Sequence, residues 1–325
     1  MRSWAVSVVF FVGAAAAAER LPALGAEAAK VTASGVSSGG YMAVQLHVAY
    51  SGRVSGVGVI AAGPYYCAAG SLWSARNACM TGTPRASKAD AERFAREGRI
   101  DPLANLVGAP VWLFSGTADR TVTLAVVEAL AQQYALFGAK VALVKDKPAG
   151  HAMVTEHAGA ACGATEAPFI NDCDYDAAGQ ILQYLLGRLA PPSEDSRGRL
   201  IEFEQAEFGA GRAISMAEKG FAYVPGNCAR EKCRIHIALH GCRQGAEALG
   251  DRFAREAGYN RWAAANRLIV LYPQAAARYA SWAFNPRGCW DWWGYTGAGY
   301  ATRDAPQMRS IFAMVERLGS QPKER

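Results

Sequence analysis

Residues 31–50 read VTASGVSSGGYMAVQLHVAY. A short run suited to extended backbone leads into serines framed by glycines, and apolar residues at helical spacing follow. That order fits a sharp strand-to-helix turn, with small residues relieving the crowding. The alternation then recurs. VSGVGVIAAG is a continuous apolar run ended by Gly63-Pro64, which suits a strand buried on both faces. VWLFSG predicts another buried strand with a helix over 124–137 behind it. KVALVKD predicts the next, ahead of the loop PAGHAMVTEH and a helix around AAGQILQYLLGRL. Further on, LIEFEQAEF and GFAYVPG predict antiparallel strands, CRIHIALHG a buried strand, residues 253–265 a helix and RLIVLYP a strand. The fold class predicted is α/β, a largely parallel sheet flanked by helices. Residues 64–105 interrupt it as a turn-rich excursion with a charged helical piece near SKADAERFAREG. Residues 190–199, APPSEDSRGR, have the composition of a domain linker.

Half of the 325 residues are hydrophobic (51%), which excludes a disordered chain, and no heptad or Gly-X-Y repeat points to a fibre. The net charge of +6 comes without a basic run or a nucleic-acid-reading motif, so nucleic acid is not the expected partner. The chain opens MRSWAVSVVFFVGAAAAA, a basic residue, an apolar core and small residues, as in a secretory signal. Cleavage after Ala18 or after Ala26 (following LPALGA) fits, giving a signal peptide within residues 1–26. The uncharged stretch from Ser3 to Ala18 is shorter than the roughly 20 residues that span a bilayer. Secretion, to the medium or the periplasm, is the expectation, with no membrane partner.

Cysteine usage agrees with an oxidising compartment. Cys67, Cys79, Cys162, Cys173, Cys228, Cys233, Cys242 and Cys289 make an even count, all downstream of the signal. Proximity pairs 67 with 79, 162 with 173 and 228 with 233, leaving Cys242 for Cys289. A zinc site is disfavoured, because there is no C-x-x-C and the histidines do not cluster with the thiols.

Gly35-Val36-Ser37-Ser38-Gly39 is a G-x-S-x-G in strand–turn–helix context, which would project the Ser37 hydroxyl at the strand's carboxyl end. Such a nucleophile needs a base and a carboxylate to orient it. Of five histidines, His47 lies mid-helix and reads as structural, while His236 and His240 fall on one face of a strand. His151 occupies a Gly-His turn after a strand, and His157 is its nearest competitor. Asp119 follows VWLFSG in GTADRTV, whereas Asp146 reads as a solvated carboxylate. Ser37, Asp119 and His151 therefore occur in the order found in α/β-hydrolases. One oxyanion donor would be the Ser38 amide; the second comes from a His-Gly loop, here His240-Gly241-Cys242, which lies after the serine instead of before it.

GVSSGGYMA, GTADRTV, GHAMVT, LHGCRQ and NPRGCWDWWGY, in this order over nearly the whole mature chain, resemble the single-domain, circularly permuted poly(3-hydroxybutyrate) depolymerases. The resemblance implies a circularly permuted α/β-hydrolase. It makes residues 27–325 one catalytic domain and residues 190–199 the permutation junction. It assigns Ser37 as nucleophile, Asp119 as acid, His151 as base and the Ser38 and Cys242 amides as oxyanion hole. The Trp-rich segment after Cys289 resembles the crevice lining, with Trp290 and Trp293 as substrate contacts. A Cys242–Cys289 bridge would then tie the oxyanion loop to the aromatic segment. The implied activity is ester hydrolysis of a polyester or hydroxyalkanoate oligomer by a monomer, with no metal or organic cofactor. Many such enzymes resemble a catalytic domain joined to a polymer-adsorbing one; without it, adsorption would fall to the catalytic domain's own surface. The alternatives are a secreted esterase for feruloyl, acetyl-xylan or cutin-like esters, and a noncatalytic polymer-binding protein.

Overall fold

The computed structural model describes residues 19–193, 198–280 and 284–322. The expected signal segment up to Ala18, and residues 194–197 of the expected junction, lie outside the described residues. The chain runs β1 (Glu27–Val36), α1 (Ser38–Ala49), β2 (Val54–Ile60), α2 (Leu72–Arg76), α3 (Ala89–Arg96), β3 (Pro110–Phe114), α4 (Leu124–Leu136) and β4 (Lys140–Val144). Short strands β5 (Met153–Thr155), β6 (Ala160–Ala161) and β7 (Ile170–Asp172) precede α5 (Ala177–Leu186). Then come β8 (Arg199–Glu204), β9 (Lys219–Val224), β10 (Arg234–Leu239), α6 (Ala246–Leu249), α7 (Arg252–Glu256), α8 (Tyr259–Ala265), β11 (Leu268–Tyr272) and α9 (Pro306–Gly319).

Eight strands form one sheet in the order β4-β3-β2-β1-β10-β11-β9-β8. The six from β4 to β11 are parallel, and β9 and β8 close the edge antiparallel. The apolar runs explain the inner strands: β11 and most of β2 and β3 are buried on both faces. α1 is buried along its whole length, as a helix without a polar face must be. Inside it, Gln45 donates to the Asp291 carbonyl at 2.9 Å and His47 Nδ1 meets the Tyr134 hydroxyl at 3.0 Å.

β1 and β10 join the two halves of the chain at the sheet's centre. A buried polar ladder fixes their register: Thr32 Oγ1 and Ser34 Oγ contact the two ring nitrogens of His236 at 2.8 and 2.7 Å. Ser34 also meets the Tyr259 hydroxyl at 2.7 Å. A one-residue slip would leave these buried groups unpaired, so the ladder specifies the strand pair that carries the site.

Both flanks of the expected junction are packed. Ala190 exchanges two backbone hydrogen bonds with the Asn266 side chain, and Ser193 N–H donates to the Arg261 carbonyl. At the other end, Leu21 is buried, and Leu24, Gly25 and Ala26 donate backbone bonds to the end of α9. One predicted helix is divided. Residues 253–265 form α7 and α8 because Gly258 takes a left-handed φ of 91° between them. No helix of the described residues is long and apolar enough to cross a membrane. Disulfides join Cys67 to Cys79, Cys162 to Cys173, Cys228 to Cys233 and Cys242 to Cys289.

Candidate active site

Ser37 stands between β1 and α1 with φ 56° and ψ −125°, the strained turn that lifts a side chain off the strand end. The residues two places before and after it must be glycine. A Cβ on Gly35 would sit 2.2 Å from the Gly39 carbonyl oxygen, and one on Gly39 would sit 2.4 Å from the carbonyl oxygens of Leu239 and His240. The second contact is where the start of α1 presses on the end of β10, so the motif brings the two central strands' loops together.

Asp119 follows β3 and His151 follows β4, so both reach the same carboxyl edge of the sheet as Ser37. Ser37 Oγ lies 2.8 Å from His151 Nε2, and His151 Nδ1 lies 2.8 Å from Asp119 Oδ2. Asp119 and His151 are both buried. The other Asp119 oxygen accepts the Thr121 and Val122 amides at 2.8 and 2.9 Å, and the His151 amide donates to Thr165 Oγ1 at 2.9 Å. The Asp119 carboxylate and the His151 backbone are thus held by residues outside the Ser37–His151–Asp119 chain.

Facing this turn is the loop after β10. An ideal Cβ on Gly241 would lie 3.2 Å from Ser37 Cβ. His240 shapes the loop. The Ala275 amide donates to its Nε2 at 3.0 Å, which leaves the ring proton on Nδ1 to donate to the Gly241 carbonyl at 2.7 Å. Burial pushes His240 down to about 4, with the carbonyl bond partly opposing, so the ring is neutral and this tautomer fixed. With the Gly241 carbonyl pinned, the planar peptide also fixes the direction of the Cys242 N–H. That amide makes no backbone hydrogen bond among the described residues, and Ser38, first in α1, has the free N–H of a helix start. Gln244 Oε1 accepts the Gly241 amide at 2.6 Å. Trp290 Nε1 donates to the His240 carbonyl at 3.0 Å, and the Cys242–Cys289 bridge closes the assembly.

The aromatic segment departs from expectation in one respect. Trp290 is completely buried, out of reach of a substrate in the cleft; it braces the loop after β10 from within. Next to it, the buried Asp291 carboxylate accepts the Gly294, Tyr295 and Thr296 amides and the Thr296 hydroxyl. Trp292 stacks on Tyr41 at 4.0 Å, and Trp293 is half-buried, packing against Trp292 and Tyr295. Of the remaining histidines, His157 is exposed beside Glu156. His47 and His236 are buried and pushed down to about 3. Asp146 is an exposed carboxylate beside Lys147. Sequence reasoning missed Thr165, Gln244 and the bracing role of Trp290; Gln244 sits in LHGCRQ and Trp290 in NPRGCWDWWGY, while Thr165 belongs to no motif. No group of three or more His, Cys, Asp or Glu among the described residues is placed to hold a metal ion.

The sequence model of the prolyl oligopeptidase family matches residues 11–174. A poly(3-hydroxybutyrate) depolymerase of Delftia acidovorans is 44% identical over 95% of this chain, which spans 63% of that relative's length. A polyhydroxybutyrate depolymerase of Talaromyces funiculosus is 37% identical over 94% of each chain. Among solved structures, the PHB depolymerase from Penicillium funiculosum superposes with a TM-score of 0.86 at 34% identity, covering 93% of this chain and 100% of that one. A serine-to-alanine PHB depolymerase complexed with an R3HB trimer matches equally well, at a TM-score of 0.86. With an α/β-hydrolase sheet and identity that runs almost from end to end, the chain belongs to the polyhydroxybutyrate depolymerase family.

Proposed function

We propose that this protein is an exported serine esterase that hydrolyses the ester bonds of poly(3-hydroxybutyrate) or its oligomers through an acyl-enzyme on Ser37. The observation that carries the reading is the unbroken hydrogen-bond chain from Ser37 through His151 to Asp119, 2.8 Å at each link. In acylation, Ser37 Oγ attacks the ester carbonyl as His151 Nε2 takes its proton. The Ser38 and Cys242 amides receive the oxyanion. Collapse breaks the bond to the leaving alkoxide, which takes the proton from His151 and departs as an alcohol. The 3-hydroxyacyl group stays on Ser37. Water, deprotonated by His151, then attacks the acyl carbonyl, and the returning proton frees Ser37 as the acid leaves. Asp119 holds the imidazole tautomer and stabilises the imidazolium in both halves. Trp293 is the aromatic residue we assign to the substrate crevice.

Residues 27–325 act as one catalytic domain in this reading, with the ancestral termini joined near 190–199. The packing of residues 21–26 against α9 favours signal cleavage after Ala18, since cleavage after Ala26 would strip that contact.

The test is release of 3-hydroxybutyrate and short oligomers from amorphous polymer, with Ser37→Ala beside the wild type. Release should fall by about 10⁴-fold or more in the variant, by analogy with other triads. Ser37-dependent hydrolysis of a short acyl ester without polymer release would keep the triad and discard the polymer. Absence of both would defeat the reading.

A further inference from the structure

Beside the oxyanion loop lies a cavity of about 410 Å³ whose lining includes Arg212, Arg243, Glu247, Tyr279 and Arg287. Its place is set by the chain. Arg243 follows Cys242 directly, Arg287 stands two residues before Cys289, and these cysteines are bonded. The Arg243 amide also donates to the Arg287 carbonyl at 2.8 Å. Two guanidinium groups are therefore carried on cross-linked backbone at the edge of the loop that faces Ser37.

The carboxylate in the lining is already engaged. Glu247 pairs with Arg212 at 2.9 Å and accepts the Ala277 amide at 2.9 Å. Neither Arg243 nor Arg287 has an acidic partner among the described residues. Instead, like charges gather: partial burial first, then the charges of Arg243 and Arg76, hold the Arg287 pKa below its ordinary value. Guanidinium groups left without a partner in a concave site are a receptor for a carboxylate or similar anion, which they can grip in bidentate fashion.

The reaction supplies such an anion. A hydroxyacyl oligomer carries one ionised carboxyl end, and the alcohol side of every ester bond leads toward it. We propose that Arg243 and Arg287 bind the terminal carboxylate of a short hydroxyacyl oligomer, making this cavity the leaving-group end of the substrate site. The proposal rests on the esterase reading above. It predicts that free-acid oligomers are better ligands than the same oligomers capped as methyl esters, and that short acids are preferred over interior segments of long chains.

The test is calorimetric binding of a 3-hydroxybutyrate trimer, as free acid and as methyl ester, to the Ser37→Ala protein. The acid should bind about five- to ten-fold more tightly at low salt. Most of that advantage should vanish at about 0.5 M salt, where exposed charges are screened. It should shrink equally in Arg243→Gln and Arg287→Gln. The salt series needs no further variant, so a poorly folded substitution leaves the question decided. Equal affinity of acid and ester, or an advantage indifferent to salt, overturns the proposal. If instead the monomeric acid competes at an arginine-dependent affinity while the trimer acid shows no advantage, the pair holds the released product, and the chain-end assignment falls. Turnover by the wild type is measured alongside: cleavage of neither trimer would defeat the esterase reading, and the binding ratio would still judge the arginine pair.

Discussion

Two sets of loops meet at the carboxyl edge of the sheet, and they are held in different ways. The loops after β1, β3 and β4 position Ser37, Asp119 and His151 through local devices. These are a glycine-framed turn, two amides two and three residues beyond Asp119, and a threonine 14 residues beyond His151. The loop after β10 is held from far away. Its disulfide closes 47 residues, its indole brace comes from 50 residues downstream, and Gln244 reaches back 75 residues to the Phe169 carbonyl. Local devices form with the strand and turn that carry them. Remote ones exist only once the fold is complete, so damage there should reach stability and site geometry together, whereas damage to the triad should reach chemistry alone.

The sharpest way to separate the two regions is Asp119→Asn. It keeps shape and both backbone bonds' acceptor but loses the charge behind His151, and should lower kcat by about 10⁴-fold. Thermal unfolding should move little, and a large drop in stability would blur the distinction. The converse substitution is Cys242→Ser with Cys289→Ser. Loop-closure entropy assigns this bridge about 4 kcal/mol, against about 2 kcal/mol for Cys228–Cys233, which closes only 5 residues. Urea unfolding of the two double variants should show that ranking, and the first should also lose esterase activity. Activity untouched by the loss of Cys242–Cys289 would mean that His240 and Trp290 hold the loop unaided.

The third test is acid sensitivity. Burial lowers His47 and His236 to about 3 and His240 to about 4, below the ordinary value of 6.5. The unfolded chain therefore binds protons below pH 6.5 that the folded chain refuses. Stability is complete above that pH and is lost as pH falls toward 4. Each ring contributes a slope approaching about 1.4 kcal/mol per pH unit. Two of the three stand on or just past β10, so the slope should flatten in His236→Gln. An unchanged slope would mean that the ladder at Thr32 and Ser34 does not keep that ring neutral.

The same contrast explains what could be read from the sequence. The Ser37 turn, Asp119 and His151 were legible because each sits in a short motif whose purpose is local, and the strand order of the sequence puts all three at one edge. The antiparallel pair β8 and β9 was legible as two short extended runs, and the parallel strands from their apolar runs. The break at Gly258 was available in principle, since a glycine inside a helical run invites a left-handed turn. Trp290 was not legible. Three tryptophans in WDWW look alike, and what marks out the inward ring is a remote partner, the His240 carbonyl 50 residues back. The His240-Gly241 loop was legible, but not the contact that fixes the His240 ring, which requires β11's exit at Ala275 to meet the end of β10.

The central claim is that Ser37 carries the acyl group. The direct measurement is rapid quenching during turnover of an activated 3-hydroxybutyrate ester, followed by mass spectrometry of the digested protein. A 3-hydroxybutyryl adduct on the peptide containing Ser37, absent from Ser37→Ala, is the result expected. Turnover that continues with the adduct on another residue, or that survives Ser37→Ala, would contradict the account.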